Sequence, residues 1–234
     1  MSGSAHQRYG LIVFDCDGVL IDSEPLSCVA TSIELHDAGF PISAEVIAER
    51  FTGMSNDSML AAIEDETGRP MPDDMAERLH NREMALLRED LEAVAHVADV
   101  LDHLDSLGMA YCVASSSTPE RLSVTLGHVG LYDRFPKVLS ATMVKNGKPA
   151  PDLFLLAARE MAVSPDACIV IEDSVPGVRG GRAAGMTVLG FCGASHCRPG
   201  HGDDLMAAGA KSTFDTMRDL PDLLSTLLPR ANVV

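Results

Sequence analysis

Basic residues are scarce in this chain of 234 residues: 18 Lys and Arg stand against 34 Asp and Glu, a formal net charge of −16. No block of Lys and Arg offers a seat for a polyanion, so neither nucleic acid nor an anionic membrane is expected as a partner. An anionic ligand would meet a repulsive average field, and any site for one must be built locally from a bound cation, one lysine and helix N-termini. Long apolar runs are missing too. No stretch approaches the roughly 18 residues that a spanning helix requires, and residues 1–10 lack the apolar core of a secretory signal. The expectation is a cytoplasmic protein. Paired C-x-x-C spacing is also absent, although there are six cysteines. Cys16, Cys112 and Cys168 lie in apolar runs, as reduced core thiols do. Cys192, His196, Cys197 and His201 are close in sequence, but without that pairing they read as a loop with two nearby thiols rather than a structural zinc site.

What the chain does have is acid at the ends of apolar strands. Leu11, Ile12, Val13 and Phe14 form a continuous apolar run, the pattern of a strand buried on both faces, and Asp15, Cys16, Asp17 and Gly18 follow at once. The carboxyl ends of strands in an open parallel sheet are where ligands bind. Two like charges so close repel unless a cation neutralises them or a proton is shared, and hard oxygens suit Mg2+. The plainer alternative is a polar strand end with Asp17 and Gly18 in an ordinary turn.

Three later segments matter. The run 111–114 ends at Ser115 and Ser116, and Thr118, Pro119, Glu120 and Arg121 look like a helix start aimed at an anion. Ser117 or Thr118 also suits a capping role there. Lys148 sits between Gly147 and Pro149, in a constrained loop; taken alone a loop lysine is more often surface decoration, and the alternative is a point cation placed to hold an anion. The run 167–171 ends in Glu172 and Asp173, with Ser174 placed to cap the next helix.

Between the first and second of these segments the pattern is helical. Residues 25–39, 43–53, 55–68 and 73–91 each read as a helix, with Leu26, Val29, Ala30 and Ile33 forming a stripe in the first and Gly39 and Gly68 acting as stops. Four helices joined by short turns make a small bundle. After about residue 92 strands and helices alternate: helix 94–107, strand 110–114, helix 119–129, strand 137–141, helix 152–162, strand 167–171, helix 175–184, strand 187–191, helix 203–208, strand 211–214 and helix 220–228. The expected fold class is α/β, a Rossmann-like parallel sheet core from residues 1–22 and 93–234, with a helical-bundle domain inserted at 23–92.

The ordered set of Asp15-x-Asp17-Gly18-Val19, Ser115 after its strand, Gly147-Lys148-Pro149-Ala150-Pro151-Asp152 and Ile169-Val170-Ile171-Glu172-Asp173-Ser174 resembles the haloacid dehalogenase superfamily, in its cap-bearing phosphatase and β-phosphoglucomutase-like branch. The resemblance spans about residues 9–228. It implies an α/β catalytic core and a cap that closes over the active site. It also implies a Mg2+-dependent phosphatase that acts on a small phosphorylated metabolite, a sugar, sugar-alcohol or sugar-acid phosphate, through an aspartyl-phosphate intermediate. Asp15 is then the nucleophile and Asp17 the general acid and base. Mg2+ would be held by Asp15, the backbone carbonyl of Asp17, Asp173 and, directly or through water, Glu172. Ser115, Ser116 and Lys148 would bind phosphate, while Met54, Ser55 and Asn56 in the cap would contact substrate.

Members of the family that are dehalogenases lack the second aspartate, which is present here as Asp17. A phosphomutase similar to β-phosphoglucomutase is a rival, but that type carries a Lys before the cap-loop Gly and an Arg three residues after it. Thr52 and Asn56 stand there instead, on either side of Gly53, and Ser27 occupies the place of an expected histidine. A non-catalytic regulatory protein on the same fold is the second rival. A monomer or weak homodimer is expected.

Overall fold

A computed structural model describes residues 9–51 and 54–227. Its elements are, in chain order, β1 (Leu11–Phe14), α1 (Glu24–Asp37), α2 (Ala44–Phe51), α3 (Asn56–Thr67), α4 (Met75–Glu89), α5 (Val97–Ser106), β2 (Ala110–Ser115), α6 (Pro119–His128), β3 (Val138–Ser140), α7 (Asp152–Glu160), β4 (Cys168–Glu172), α8 (Val175–Ala183), β5 (Thr187–Phe191), α9 (His201–Ala208), β6 (Ser212–Phe214) and α10 (Leu220–Leu227). The strands form one parallel sheet in the order β3-β2-β1-β4-β5-β6. Parallel neighbours need crossovers, and helical crossovers cover the sheet faces, so β1 and β4 can be buried at every residue. The strand order reverses at β1, with β2 and β3 on one side and β4 on the other. Such a reversal opens a crevice at the carboxyl ends of the central strands.

The chain divides into two compact units, one formed by residues up to Asp22 together with those from Ala93 onward, the other by Ser23–Glu92. The first unit holds the sheet, whose buried cluster includes Val13, Cys112, Leu153, Phe154, Val170, Val178 and Val188. The second is the insertion, α1 to α4, with its own core of Leu35, Phe40, Ile47, Phe51, Ile63, Met75 and Leu79. All six cysteines are free thiols, four of them buried. Among the described residues, no helix is long and apolar enough to cross a membrane.

Most boundaries shift by one or two residues from the sequence expectation, and three of the differences have a clear local reason. α5 starts at Val97 rather than residue 94, because Ala93 bridges Ile21, Val94 N–H donates to Leu20 O, and His96 turns the chain at φ 70°. β3 keeps only the three residues that pair with β2, as its other edge has no partner strand among the described residues. α9 begins at His201, directly after Gly200 at φ 89°. Thr52 and Gly53 of the cap-loop comparison lie outside the described residues, as do Leu228 at the end of the last helix and residues 1–8.

One buried charge ties the inserted unit together. Glu34 on α1 is only 4% exposed. Its two carboxylate oxygens accept hydrogen bonds from Arg78 Nε at 2.9 Å and Arg82 Nε at 2.8 Å, both on α4. Burial by itself would raise the Glu34 carboxyl, but the hydrogen bonds and charges of Arg82 and Arg78 outweigh it and hold the group below its ordinary 4.5. Losing a hydrogen bond to a charged group costs about 1.5–3 kcal/mol. Glu34→Gln should therefore destabilise the protein by about that amount at pH 7 in urea unfolding. A carboxyl depressed by folding stabilises above its unfolded value and loses that contribution as pH falls through the folded one. The gap between wild type and variant should thus hold down to about pH 4.5 and close below it; a gap that stays constant into strong acid would show that the charge of Glu34 is not its source.

Candidate active site

β1 and β4 run in register, with Phe14 beside Ile171. The next residue on each strand is an acid, so Asp15 and Glu172 meet at the carboxyl end of the sheet, and Asp15 N–H donates to Ile171 O at 3.0 Å. Asp15, Glu172 and Asp173 are all buried. Lys148 reaches them from the loop before α7, where its bond to Pro149 is cis. Its Nζ donates to Asp15 Oδ1 at 2.7 Å and to Glu172 Oε1 at 2.6 Å, and the side chain is 4% exposed. Burial alone would favour a neutral amine, yet the charges and hydrogen bonds of Asp15 and Glu172 dominate and raise the Lys148 pKa. For Asp15 the balance goes the other way. Burial raises its carboxyl well above the ordinary range, Lys148 works against this, and the charges of Glu172 and Asp173 add to it.

Glycine makes room for these acids. Glu172 Oε2 accepts from Ser174 N–H at 3.0 Å and Ser174 Oγ at 2.9 Å, and that same Oγ accepts from Gly177 N–H at 3.1 Å. Ser174 therefore caps α8 while holding the carboxylate. A Cβ on Gly177 would lie 1.8 Å from Glu172 Oε1. Asp173 presses equally close on Gly18, where a Cβ would lie 2.0 Å from Asp173 Oδ2 and the backbone has φ +77°.

Asp15, Glu172 and Asp173 each offer a carboxylate oxygen within 4.8 Å of the others. Three buried acids share one buried ammonium, and all the donors are hard oxygens. That composition fits a hard divalent cation, which would relieve the repulsion evident at Asp15. Glu172 already has both oxygens engaged, by Lys148 and Ser174, which leaves Asp15 and Asp173 better placed as direct ligands.

Asp17 stands apart from this trio. Its carboxylate accepts from Ser117 Oγ at 2.7 Å and Arg121 Nη2 at 3.2 Å. Ser117 is itself held by the ends of two strands: its N–H donates to Ser115 Oγ at 3.1 Å and its carbonyl accepts from Ser140 Oγ at 2.7 Å. Capping of α6 falls to Thr118, whose Oγ1 accepts from Arg121 N–H. Sequence reasoning saw Ser117 only as a possible cap and Arg121 only as part of a helix start. Spacing from Thr118 was the available signal, since a residue three past the cap lies one turn into the helix, back toward the strand end. Ser115 is buried and Ser116 exposed on the same turn. Met54, Ser55 and Asn56 belong to the inserted unit, where they are exposed and Ser55 caps α3 by accepting from Ser58 N–H at 3.2 Å.

Two further side chains touch Asp173. His196 Nε2 lies 3.0 Å from its Oδ2, and His201 Nε2 donates to its backbone carbonyl at 2.6 Å. The hydrogen bond to Asp173, helped by Cys197, raises the His196 pKa to about 10 against the opposing effect of burial.

A family model described as haloacid dehalogenase-like hydrolase matches residues 12–191. The chain belongs to this family. Among curated relatives of this haloacid dehalogenase-like hydrolase, 6-phosphogluconate phosphatase of Escherichia coli is 29% identical over 218 residues, covering 92% of this chain and 95% of that one. Fructose-1-phosphate phosphatase YqaB of the same organism is 31% identical over 184 residues, covering 79% of this chain and 97% of its own. The crystal structure of a haloacid dehalogenase-like protein from Agrobacterium tumefaciens superposes with a TM-score of 0.84 at 40% identity, over 94% of this chain and 99% of that chain.

The close approach at Gly177 gives a test of the site's packing. Gly177→Ala must displace the Glu172 carboxylate, whose atoms are the three nearest to the new methyl, and a Glu172→Ala background removes all three. The cost of the alanine in urea unfolding should be larger in the native background by about 1–3 kcal/mol, a coupling typical of residues in contact. Equal costs in both backgrounds would mean that Glu172 is not what the glycine accommodates.

Proposed function

We propose that this hydrolase is a Mg2+-dependent phosphatase that cleaves a small phosphorylated metabolite, a sugar, sugar-alcohol or sugar-acid phosphate, through an aspartyl phosphate on Asp15. The observation that carries the proposal is the buried group of Asp15, Lys148, Glu172 and Asp173 at the sheet's reversal point. Asp15 attacks phosphorus and the sugar alkoxide leaves; water then attacks the acyl phosphate, freeing inorganic phosphate and restoring the carboxylate. Lys148 fixes Asp15 Oδ1, which orients the remaining oxygen for attack. Held by Asp15, the Asp17 carbonyl, Asp173 and Glu172, Mg2+ would supply the charge neutralisation that lets a carboxylate approach a phosphate. Ser115 accepts a hydrogen bond from Ser117 N–H and keeps its hydroxyl proton to donate to a phosphate oxygen, with Ser116 beside it.

Asp17 protonates the departing oxygen and later takes a proton from water. Ser117 and Arg121 hold its carboxylate, so it serves the leaving group after swinging off Arg121. Selection of the organic part of the substrate is assigned to the inserted unit, with Met54, Ser55 and Asn56 as contacts. Asn56 is neutral where a mutase would place an Arg, which favours release of phosphate to water over transfer back to the sugar. The names of the curated relatives, phosphatases of a sugar acid and of a sugar, support the same substrate class.

Asp15→Asn should retain the fold by circular dichroism and lose turnover of a phosphate-ester panel by several orders of magnitude, as loss of a nucleophile does. EDTA should abolish the wild-type activity and Mg2+ should restore it. Turnover within about tenfold of wild type in the Asn variant would remove Asp15 from the role.

Asp17→Asn should slow both half-reactions. With nitrophenolate, which needs little help from an acid, the loss in phosphoenzyme formation should be smaller than with a sugar alkoxide. Identical losses for both leaving groups in single-turnover measurements would show that Asp17 is not the acid.

A further inference from the structure

We propose that His196, Cys197 and His201 form a second metal site, for a thiophilic divalent transition metal such as Zn2+. The absence of C-x-x-C spacing led to a different expectation for this segment, that of a loop with two nearby thiols. The fold supplies what the spacing does not. His201 opens α9, so its ring returns toward the preceding loop, and the rings of His196 and His201 meet edge to face with centroids 5.8 Å apart. Cys197 Sγ lies 3.8 Å from His196 Nε2. One ligand atom from each of the three residues falls within 4.8 Å of the other two.

The loop is held in place from several sides. Cys192 N–H donates to Phe214 O at 2.8 Å, Cys197 N–H to Ala194 O at 3.0 Å, and Ser195 N–H and Oγ to Asp22 at 3.3 and 2.8 Å. Ligands on an anchored loop lose little conformational freedom on binding. The Asp173 carbonyl, 2.6 Å from His201 Nε2, occupies one ring nitrogen in the manner that orients metal-bound histidines. All three side chains are partly exposed, so an ion can enter.

Ligand chemistry separates this site from the carboxylate group. A thiolate with two imidazoles favours zinc and its neighbours in the transition series, whereas Mg2+ prefers carboxylate and water oxygens. Three protein ligands leave a fourth tetrahedral position for water. Thiolate and neutral imidazole are the forms that ligate such a metal, so its uptake is accompanied by proton release.

Co2+ tests the proposal because its spectrum reports the ligands. The reduced protein is saturated with Mg2+, to occupy the carboxylates, and then titrated with Co2+. The expected result is a near-ultraviolet sulfur-to-cobalt charge-transfer band that saturates at one equivalent, is displaced by Zn2+ and is absent from Cys197→Ser. The serine variant should keep its Mg2+-supported turnover. His201→Gln should weaken Co2+ binding by at least about tenfold. Absence of the band in wild type at millimolar Co2+, or its persistence in Cys197→Ser, would overturn the site. Unchanged affinity in His201→Gln would overturn it equally, by reducing it to a lone thiol. Oxygen ligands give no such band, so failure of the carboxylate site proposed above would leave this result unaffected.

Discussion

The fold places Asp15, Glu172 and Asp173 out of water at the carboxyl ends of two central strands, and the ammonium of Lys148 is the counter-charge that makes this tolerable for Asp15 and Glu172, as His196 is for Asp173. Removing ionised groups from water costs several kcal/mol each unless they are paired and hydrogen-bonded. Lys148 reaches Asp15 and Glu172 together, and Ser174 takes the second oxygen of Glu172. Each contact depends on a different piece of the sheet unit: β1, β4, the start of α8, and the loop before α7. A shift of any one by a residue would strand a buried charge. Register at this end of the sheet is therefore enforced by electrostatics as well as by the apolar strands.

The balance is deliberately incomplete in chemical terms. Burial, with the charges of Glu172 and Asp173, outweighs Lys148 and pushes Asp15 toward its protonated form. A site that were fully neutral without ligand would have little to gain from a cation, whereas this one gains the relief of like-charge repulsion. At net charge −16 the chain as a whole repels anions, and screening confines that repulsion to about 8 Å at physiological salt. Inside that range the local cations decide. Lys148 at Asp15, Arg121 at Asp17 and His196 at Asp173 stand next to the strand-end aspartates.

Much of this was legible in the sequence, and what was not has a physical explanation. Apolar runs of four or five residues that end in Asp or Glu locate β1 and β4 and their acids, because only a buried strand concentrates Leu, Ile and Val that densely. The cap at Ser174 was readable from residue type and the position of the next helix, and that of α6 was narrowed to Ser117 or Thr118. The boundary at Val97 was not, since it follows from the pairing of residues 93 and 94 with the loop after β1, a contact across more than seventy positions of sequence. The partnership of Asp17 with Ser117 and Arg121 was hidden for the same reason. Nothing in the sequence pattern marks Gly177; its purpose emerges only when Glu172 is seen to fill the space of the missing side chain.

Asp173 shows how one residue can belong to two chemistries. Its carboxylate lies beside hard oxygen donors on one side and the His196 imidazole on the other, while its backbone carbonyl holds His201. Gly18, which tolerates both the positive φ and the close carboxylate, keeps the loop after β1 against this residue. His196 arrives from the segment between β5 and α9 and His201 from the first position of α9, after a strand that the sheet order places beside β4. Neighbouring strands of a parallel sheet present their carboxyl ends along one edge, so loops that are distant in sequence are brought into line there. The same alignment that gathers Asp15, Lys148 and Glu172 also gathers imidazole and thiol next to them, and the difference in donor softness is what keeps the two sets chemically distinct.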